Sequence, residues 1–548
     1  MRRILLSIIA VMVFLVNAKA QEYLYIGNNV IPVSSVKKIT SSVQVHPGSL
    51  SLILENDKNI SLYVEALKVT GMMDSLMCYI DNSYGFASKQ DIKDSCTWTN
   101  NQLCIHVAVE YDNVAFPKKR FYNFTAFIVP DSILEQKYGI TDLDGLRAKA
   151  RELYAPVYPE DMGVKDETDR RNYLNRFISY HILDRLGTYY TLTSIDGGKL
   201  SNNFNRRKWD NADWYETLMP HSIMKFSFPS GSEAGLYINR RGVQDHADEL
   251  GVFVHGSKIT PPSSGPAQSN AVNGMYHYID DIVAYDQNTQ SVVLNERIRL
   301  DCSTLSPDFM TKFTDGETAR GHSAVVAANN GKYGLGGQGT VASSNVNHCV
   351  GFKAGFVRNF KFKSNTHIHV RNRVLGFWSY QGDDVTIKGP YDVTVKLPPV
   401  PEGKYELRMG YCADFVSRGI VAFFIDGKPC DIVDLRPNGQ TLFGWQSDDA
   451  LGFAESIAEH DRSIHNKGWM KGPACYSPGE KDTYGGSSMR DLPNTIRRVV
   501  GTFYTDGKSD HYLRLKQMME AGGELDFDFI ELVPVSVYDN ETYVESKW

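Results

Sequence analysis

Apolar residues recur at helical spacing over residues 50–76, LSLILENDKNISLYVEALKVTGMMDSL. Leu62, Val64 and Leu67 mark the apolar side, and Gly71 follows the last periodic turn, where a helix C-cap is expected. The pattern predicts a pair of amphipathic helices. A strand follows in residues 122–134, where apolar side chains alternate, and Pro130-Asp131-Ser132 is expected to end that strand and cap a helix.

Two later segments also carry a clear pattern. Residues 176–183, RFISYHIL, form an apolar stretch that contains the pair Tyr180 and His181. Residues 270–283, NAVNGMYHYIDDIV, read as an Asn-Gly turn followed by alternating side chains. Neither segment looks like a catalytic centre, so both are interpreted as structural points of one module.

From about residue 300 the pattern becomes that of short strands separated by turns. The segment PYDVTVKLPPVPEGKYELRMGYCA predicts two strands around a Pro-rich turn, and Asp426-Gly427 is a strong hairpin signal. The segments THIHVRNRVLGFW, DHYLRLKQM and GGELDFDFIELVP add further strands. Almost no helical pattern is visible, and residues 436–493 read as a long loop. This half is predicted to be a β-sandwich.

The order of opening helices, strand–turn, Tyr-His segment and Asn-Gly strand resembles the fasciclin-like domain over residues 48–286. The longer stretches at 135–171 and 202–270 depart from that pattern. The strands of residues 380–536 are similar to galactose-binding-like jelly rolls of carbohydrate-active proteins. Together these resemblances imply a fasciclin-like protein of the bacterial envelope, of the Bacteroidetes type. The implied fold class is an α+β fasciclin-like domain followed by an all-β jelly roll, or β-sandwich.

The domain organisation follows from these patterns. Arg2 and Arg3, an apolar run and Ala18-Lys19-Ala20 predict a signal peptide over residues 1–20. We expect an N-terminal arm at 21–47, the fasciclin-like domain at 48–286, the β-sandwich at 300–536 and a tail at 537–548. The predicted location is the periplasm, the outer-membrane surface or the extracellular space, and no segment after the signal peptide is long and apolar enough to span a membrane.

Composition narrows the classes of partner. The chain has 548 residues, 42% hydrophobic content and a formal net charge of -6, which gives no general attraction to nucleic acid. Eight cysteines in an exported chain permit disulfides. The local pairs Cys96–Cys104 and Cys412–Cys430 are the predicted bridges, and the alternative is that several cysteines are buried thiols.

Two groups of side chains are candidates for binding a glycan or a protein partner. The resemblance to fasciclin-like domains assigns Tyr180 and His181 to an adhesion motif; the alternative is a structural pair. Trp445, Trp469 and Arg490 are candidates for glycan binding, because exposed aromatics stack on sugar rings and polar neighbours contact the hydroxyls. The alternative is that the two tryptophans pin the loop to the sandwich.

A structural calcium is a weaker prediction. Asp526 and Asp528 alternate with two phenylalanines, and related jelly rolls hold calcium with such carboxylates; the alternative is a solvated strand face. His367 and His369 share a strand face, and residues 331–340 are rich in glycine, but neither feature completes a binding motif. No other cofactor is expected.

The predicted function is non-catalytic adhesion or glycan binding, with a glycan or a cell-surface or outer-membrane protein as the partner. The chain has no Gly-x-Ser-x-Gly elbow and no His-Glu-x-x-His motif. Two alternatives stay open: a glycan-active hydrolase, and a structural subunit of an outer-membrane glycan-uptake complex. Released sugar would indicate the first, and co-purification with a membrane protein would indicate the second.

Overall fold

A computed structural model describes the following residues: 23–26, 29–32, 48–81, 114–115, 120–189, 192, 211–229, 233–242, 251–261, 271–311, 348–352, 355, 357–363, 366–372, 380, 383–414, 417–474, 489–519 and 523–538. By its internal contacts the chain divides into two compact units, Met1–His46 and Pro47–Trp548. In the first unit, β1 (Tyr23–Ile26) and β2 (Asn29–Pro32) form an antiparallel hairpin. The predicted signal peptide and the last ten residues of the tail lie outside the described residues.

The first half of the large unit contains short helices. The helices are α1 (Leu50–Glu55), α2 (Ser61–Val69), α3 (Met72–Leu76), α4 (Asp131–Tyr138), α5 (Leu143–Tyr154) and α6 (Tyr173–Tyr180). The predicted pair over residues 50–76 is therefore three helices. Asp57 caps an intervening 3-10 turn, and Gly71 adopts a left-handed conformation with φ of 70°. Gly71 ends a helix, as predicted.

Asp131 caps a different helix from the one predicted. Its carboxylate accepts hydrogen bonds from the Ser61 backbone nitrogen at 2.8 Å, the Ser61 hydroxyl at 2.6 Å and the Leu62 nitrogen at 3.2 Å. These are the first amides of α2, which attract a negative charge. The residue also occupies the first turn of α4, so one carboxylate joins the beginnings of two helices.

The strands of this half follow in chain order. They are β3 (Ile80–Asp81), β4 (Val114–Ala115), β5 (Arg120–Phe121), β6 (Phe124–Ile128), β7 (Ile182–Leu183), β8 (Asn211–Glu216), β9 (Ile223–Phe228), β10 (Tyr237–Ile238), β11 (Ser257–Lys258), β12 (Gly274–Tyr278) and β13 (Ile298–Asp301). A three-stranded sheet has the order β12-β6-β7, and a four-stranded sheet has the order β11-β10-β9-β8. The described part of residues 202–270 thus forms a sheet.

The Asn-Gly segment fastens β12 to the helices. The Asn273 side chain accepts from the Leu50 nitrogen at 2.7 Å and donates to the carbonyls of Leu76 and Cys78 at 2.8 and 2.7 Å. A Cβ atom at Gly274 would collide with the Phe124 carbonyl, because β12 runs parallel to β6 at close range. The predicted strand is confirmed, and its Asn-Gly pair serves as an anchor to the helices.

The second half is mostly strand. Its strands are β14 (His348–Phe352), β15 (Phe360–Phe362), β16 (His367–Asn372), β17 (Asp383–Gly389), β18 (Asp392–Lys396), β19 (Gly403–Cys412), β20 (Ile420–Ile425), β21 (Lys428–Asp434), β22 (Trp469–Lys471), β23 (Thr495–Thr505), β24 (Tyr512–Gln517), β25 (Gly523–Phe527) and β26 (Phe529–Pro534). They form a first sheet β13-β26-β19-β23-β22, a second sheet β15-β18-β24-β20-β21 and a third sheet β25-β17-β16-β14-β4.

Chain connections in this half repeatedly switch sheets, which is typical of sandwiches. The Asp426-Gly427 hairpin between β20 and β21 is confirmed, with left-handed φ angles of 50° and 76°. The two strands predicted around the Pro-rich turn, β18 and β19, instead belong to the second and first sheets. Of the two predicted bridges, Cys96–Cys104 lies outside the described residues. The cysteines of the other are separated: Cys412 is on β19, Cys430 is on β21, and no disulfide joins them.

The prediction of a long loop over residues 436–493 is wrong for much of the part that the structure describes. It contains α7 (Gly439–Phe443), α8 (Asp448–Leu451), α9 (Ala454–His465) and strand β22, and a last short helix, α10 (Val535–Tyr538), follows β26. The α9 sequence AESIAEHDRSIH is mostly polar, and of its residues only Ile464 is buried. A helix that rests on one buried side chain leaves no apolar stripe in the sequence.

Among the described residues, one large hydrophobic core extends from Leu50 to Leu532, and a small second cluster contains Tyr380, Met489 and Phe529. Ion pairs also join its two halves, among them Lys396 to Glu216 at 3.1 Å. The chain is thus a mixed α/β, β-rich structure with several sheets, and the predicted domain boundary between 286 and 300 stays a prediction. Across the described residues, no helix combines the length and apolar character that a membrane crossing requires.

Candidate functional site

Four charged side chains meet where the helices of residues 439–465 pack on the edge of the first sheet. We call them the charged cluster: Asp448, Asp461, Lys471 and Arg490. Ser447 caps α8 by accepting from the Ala450 nitrogen at 3.1 Å, which places Asp448 in the first turn. Asp461 lies on α9, Lys471 ends β22, and Arg490 lies in the 3-10 turn Met489–Asp491.

Arg490 is the centre of the charged cluster. Its Nε and Nη2 donate to the two Asp448 oxygens at 2.7 and 2.9 Å, and Nη2 also donates to Asp461 Oδ2 at 2.6 Å. The Lys471 ammonium donates to Asp448 Oδ1 at 2.9 Å. Both carboxylates therefore share one guanidinium, and Asp448 binds it in the two-pronged geometry that gives strong pairing.

The cations lie beneath the anions. The Lys471 and Arg490 side chains are 0% and 3% exposed, whereas Asp448 and Asp461 are 17% and 30% exposed. The partly exposed members are thus the two aspartates, whose ionised carboxylates only accept hydrogen bonds. Both Asp448 oxygens and Asp461 Oδ2 already accept from the buried cations, and Asp461 Oδ1 is itself buried.

The pKa values follow from this packing. Burial alone would raise the pKa of Asp448, but hydrogen bonds from Arg490 and Lys471 outweigh it and lower the pKa to about 2. Burial lowers the pKa of Lys471, assisted by the charge of Arg490. Burial also lowers the pKa of His460, with a contribution from Lys471. Asp448 is therefore ionised across the physiological range and cannot supply a proton.

Of the predicted glycan-binding residues, only Arg490 belongs to the charged cluster. Trp469 on β22 is 7% exposed and packs between the rings of Phe443 and Tyr411, at centroid distances of 6.0 and 6.4 Å. Trp445 is half-buried against the same core. The structure thus places Trp469 as an anchor of the helical segment, and Trp445 is partly buried against the same core.

Sequence reasoning missed the aromatic that is exposed. Phe453 joins α8 to α9 and is 75% exposed, the highest value among the exposed large hydrophobic side chains of the described residues. No pattern in the sequence marks Phe453 as exposed. The residue lies between Gly452 and Ala454, and its exposure follows from its position at the junction of α8 and α9.

A buried charge network holds α9 on the first sheet. Glu531 on β26 is bound by Arg299, Arg408 and Arg497 at 2.8, 3.3 and 3.0 Å. Burial would raise the pKa of Glu531, but the arginines outweigh it and hold the pKa well below its ordinary value. Arg408 continues the network to Glu406 at 2.6 Å, and Glu406 accepts from His465 of α9 at 3.0 Å. The network thereby positions the helix that carries Asp461.

The predicted adhesion pair lies in the protein interior. The Tyr180 hydroxyl donates to the Ile223 carbonyl at 3.1 Å, and His181 Nδ1 is 2.8 Å from the Phe177 carbonyl oxygen. The exposed fractions are 0% and 1%, and burial lowers the pKa of His181 to about 4. These contacts correspond to the structural alternative for the pair, because neither side chain reaches a partner outside the molecule.

The predicted calcium ligands are committed to other groups. Asp526 accepts from the Cys412 nitrogen at 3.0 Å and pairs with Arg418 at 3.2 Å, while both Asp528 oxygens lie within 2.9 and 3.0 Å of the Tyr380 nitrogen. The described residues contain no group of three His, Cys, Asp or Glu side chains that could hold a metal. The His367 and His369 side chains and residues 331–340 lie outside the described residues.

Comparison with known proteins gives partial fold likeness only. No family model and no curated protein matches the chain. Among solved structures, a Paenibacillus xanthan lyase matches at 12% identity and a TM-score of 0.19, covering 30% of this chain and 11% of that chain. An exo-beta-1,3-galactanase from Phanerochaete chrysosporium matches at 12% identity and a TM-score of 0.17, covering 34% and 29%.

The insecticidal crystal protein Cry2Aa matches at 13% identity and a TM-score of 0.18, covering 34% of this chain and 22% of that chain. The chain thus spans less than a third of the length of each of these structures. Two of the three act on glycans by their names, but likeness of this extent carries no argument about function. The chain is similar to parts of these proteins in fold alone.

Proposed function

We propose that the protein is a non-catalytic glycan-binding protein of the bacterial envelope. The glycan would contact the surface formed by Phe453 and the exposed carboxylates of the charged cluster. The observation that carries the proposal is the 75% exposure of Phe453 at the junction of the two helices that hold Asp448 and Asp461. An exposed ring stacks on the apolar face of a sugar, and nearby acceptors bind its hydroxyls.

The architecture belongs to the same proposal. The helices and strands of residues 48–286 would form the fasciclin-like module that presents the binding half, and residues 300–536 would form the jelly roll. The N-terminal pattern would direct export to the periplasm or the cell surface. In this proposal the fasciclin-like half contributes scaffold contacts, since Tyr180 and His181 are buried.

A hydrolase is the weaker alternative for this site. Glycoside hydrolysis requires a carboxylic acid whose pKa is raised, so that it can protonate the leaving group. At Asp448 the pKa moves in the opposite direction, to about 2. Asp461 shares the same Arg490 guanidinium, so the pair is built as an ion-pair network.

A glycan panel with two matched variants tests the proposal. Phe453→Ala should weaken binding of the recognised glycan about fivefold, corresponding to on the order of 1 kcal/mol of lost stacking. Tyr504→Ala is the control, because Tyr504 is also exposed, at 60%, but lies at the opposite end of β23 from the pairing with β22. The affinity of the Tyr504→Ala protein for the glycan should equal that of the unmodified protein.

Three outcomes contradict the proposal. Equal loss of affinity in both variants would place the site elsewhere. Release of sugar during incubation would indicate an enzyme. Failure of every glycan on the panel to bind would remove the proposed function.

A further inference from the structure

The outward face of the second sheet carries a concentration of positive charge. Along β18 and β24, every second side chain enters the core and is 0% exposed: Val393, Val395, Leu513 and Leu515. Because side chains alternate along a strand, the residues between them lie on the opposite face. That face carries four cations, which together we call the cationic face: Lys361, Lys363, Arg514 and Lys516.

The one acidic side chain on β15, β18 and β24 lies beneath these cations. Asp392 accepts from Arg514 Nε and Nη2 at 2.7 Å each and pairs with Lys363 at 2.9 Å. The Asp392 side chain is 8% exposed, whereas those of Arg514 and Lys363 are 38% and 65% exposed. Two exposed cations therefore share one buried carboxylate.

The other two cations are not neutralised. Within the part of the chain that the structure describes, neither Lys361 nor Lys516 forms an ion pair. The Lys361 ammonium lies 5.9 Å from the centre of the Tyr512 ring, and the Arg514 guanidinium lies 5.1 Å from that of Phe424. The chain as a whole has a net charge of -6, so this face differs in sign from the average of the protein. Local positive charge of this kind attracts anions.

We infer that the cationic face binds an acidic polysaccharide, whose sugars carry carboxylates or sulfates. The argument is charge complementarity on an open sheet face. Asp392 uses Nε and Nη2 of Arg514, which leaves Nη1 for a second acceptor. Lys361 and Arg514 lie two strands apart, about 10 Å, which is close to the distance between carboxylates along a chain of alternating uronate and neutral sugars.

The aromatic rings favour a sugar polymer over other polyanions. A sugar presents an apolar ring face to Phe424 or Tyr512 and an acidic group to the neighbouring cation. A nucleic acid carries a charge on every residue, so the net charge of -6 opposes it more strongly than a polysaccharide with spaced charges. The exposed apolar Ile432, which a lipid bilayer would favour, lies on the edge strand β21, two strands from Lys516.

This surface is separate from the one in the proposed function. The cationic face belongs to the second sheet, whereas α9 packs on β22 of the first. The inference therefore adds a second binding surface with its own ligand class, and the two can be tested independently.

Matched oligosaccharides test the inference by calorimetry on the full protein. Oligomers of galacturonic acid would be compared with the same oligomers after methyl esterification, and sulfated galactan oligomers with their desulfated forms. At least one acidic form should bind about tenfold more tightly than its neutral counterpart at low ionic strength, and added salt should narrow the difference.

Two double variants report on the cause. Lys361→Gln with Lys516→Gln should weaken binding of the acidic form about tenfold and leave the melting temperature unchanged, because neither lysine forms an ion pair in the described part of the chain. Lys165→Gln with Lys404→Gln is the control, since it removes the same charge from exposed lysines outside the second sheet. The control should bind like the unmodified protein.

Acidic oligomers that bind no more tightly than their neutral forms would overturn the inference, as would an equal loss of affinity in both double variants. Binding of anionic phospholipid vesicles or single-stranded DNA that depends on Lys361 and Lys516, without binding of acidic oligomers, would assign the face to another polyanion and overturn it as well. Phe453→Ala should leave the affinity for acidic oligomers unchanged. Failure of the proposed function is thus read from that variant and neutral glycans, and failure of this inference from the lysine variants.

Discussion

Replacing Glu531 with glutamine is the most informative test of how the site is held in place. Glu531 is fully buried, and Arg299, Arg408 and Arg497 donate to it within 3.3 Å. Glutamine keeps the shape but removes the counter-charge, so the buried arginines lose their shared carboxylate. Breaking a buried ion pair by removing one partner costs about 3–5 kcal/mol of the free energy of unfolding.

The effect should have a defined pH dependence. Because the arginines hold the pKa of Glu531 well below its ordinary value, the carboxylate stabilises the folded state above about pH 4.3, the value of an unfolded glutamate. That contribution is lost progressively as the pH falls from about 5 through the lower pKa of the folded state. The difference between Glu531→Gln and the unmodified protein should therefore be constant from pH 8 to about pH 5 and shrink below it.

Urea unfolding followed by fluorescence at several pH values measures this difference. Glu402→Gln is the matched control: Glu402 is exposed and accepts from the Tyr504 hydroxyl at 2.6 Å, so its loss should cost less than about 1 kcal/mol. A Glu531→Gln protein as stable as the control would refute the reasoning. Because Arg408 links Glu531 to Glu406 and His465, the variant should also increase hydrogen exchange in α9.

Three further predictions follow from individual contacts. Trp469→Ala should lower the free energy of unfolding by about 3–5 kcal/mol, because the ring is buried between Phe443 and Tyr411, and an unchanged melting temperature would contradict this. Acidification from pH 7.5 to pH 4.5 should destabilise the protein, because burial lowers the pKa of His181 and His277 to about 4 and the unfolded chain binds those protons first; stability that is flat over that range in urea titrations would refute it. Calcium and chelator should leave the melting temperature equal, since Arg418 and backbone amides occupy Asp526 and Asp528, and a rise with calcium would restore the metal prediction.

Local features of the fold could be predicted from the sequence where one short segment contains the whole cause. The left-handed turn at Asp426-Gly427 needs only those two residues, and β6 could be recognised as a strand from its own apolar side chains, although all five of its residues are buried. Gly71 ends a helix for a similarly local reason. Such features do not depend on what packs against them.

Pairings between distant segments could not be predicted in this way. Arg299 and Glu531 are separated by 232 positions, and Arg490 and Asp448 by 42, so nothing in either segment indicates the partner. The same limit explains Asp131, whose nearest predicted helix was α4 but whose carboxylate caps α2. The burial of Trp469 also could not be predicted. The sequence of residues 436–493 is mostly polar and does not indicate that helices of this segment pack over the ring.

Hydrogen–deuterium exchange with and without an oligosaccharide that binds in the glycan panel tests the central claim most directly. The account predicts slower exchange on binding in residues 448–465 and 489–491, the segments that contain Phe453 and three members of the charged cluster. Exchange in α6, which holds the buried Tyr180, should stay the same. Protection confined to other segments, with none around Phe453, would contradict the proposed site.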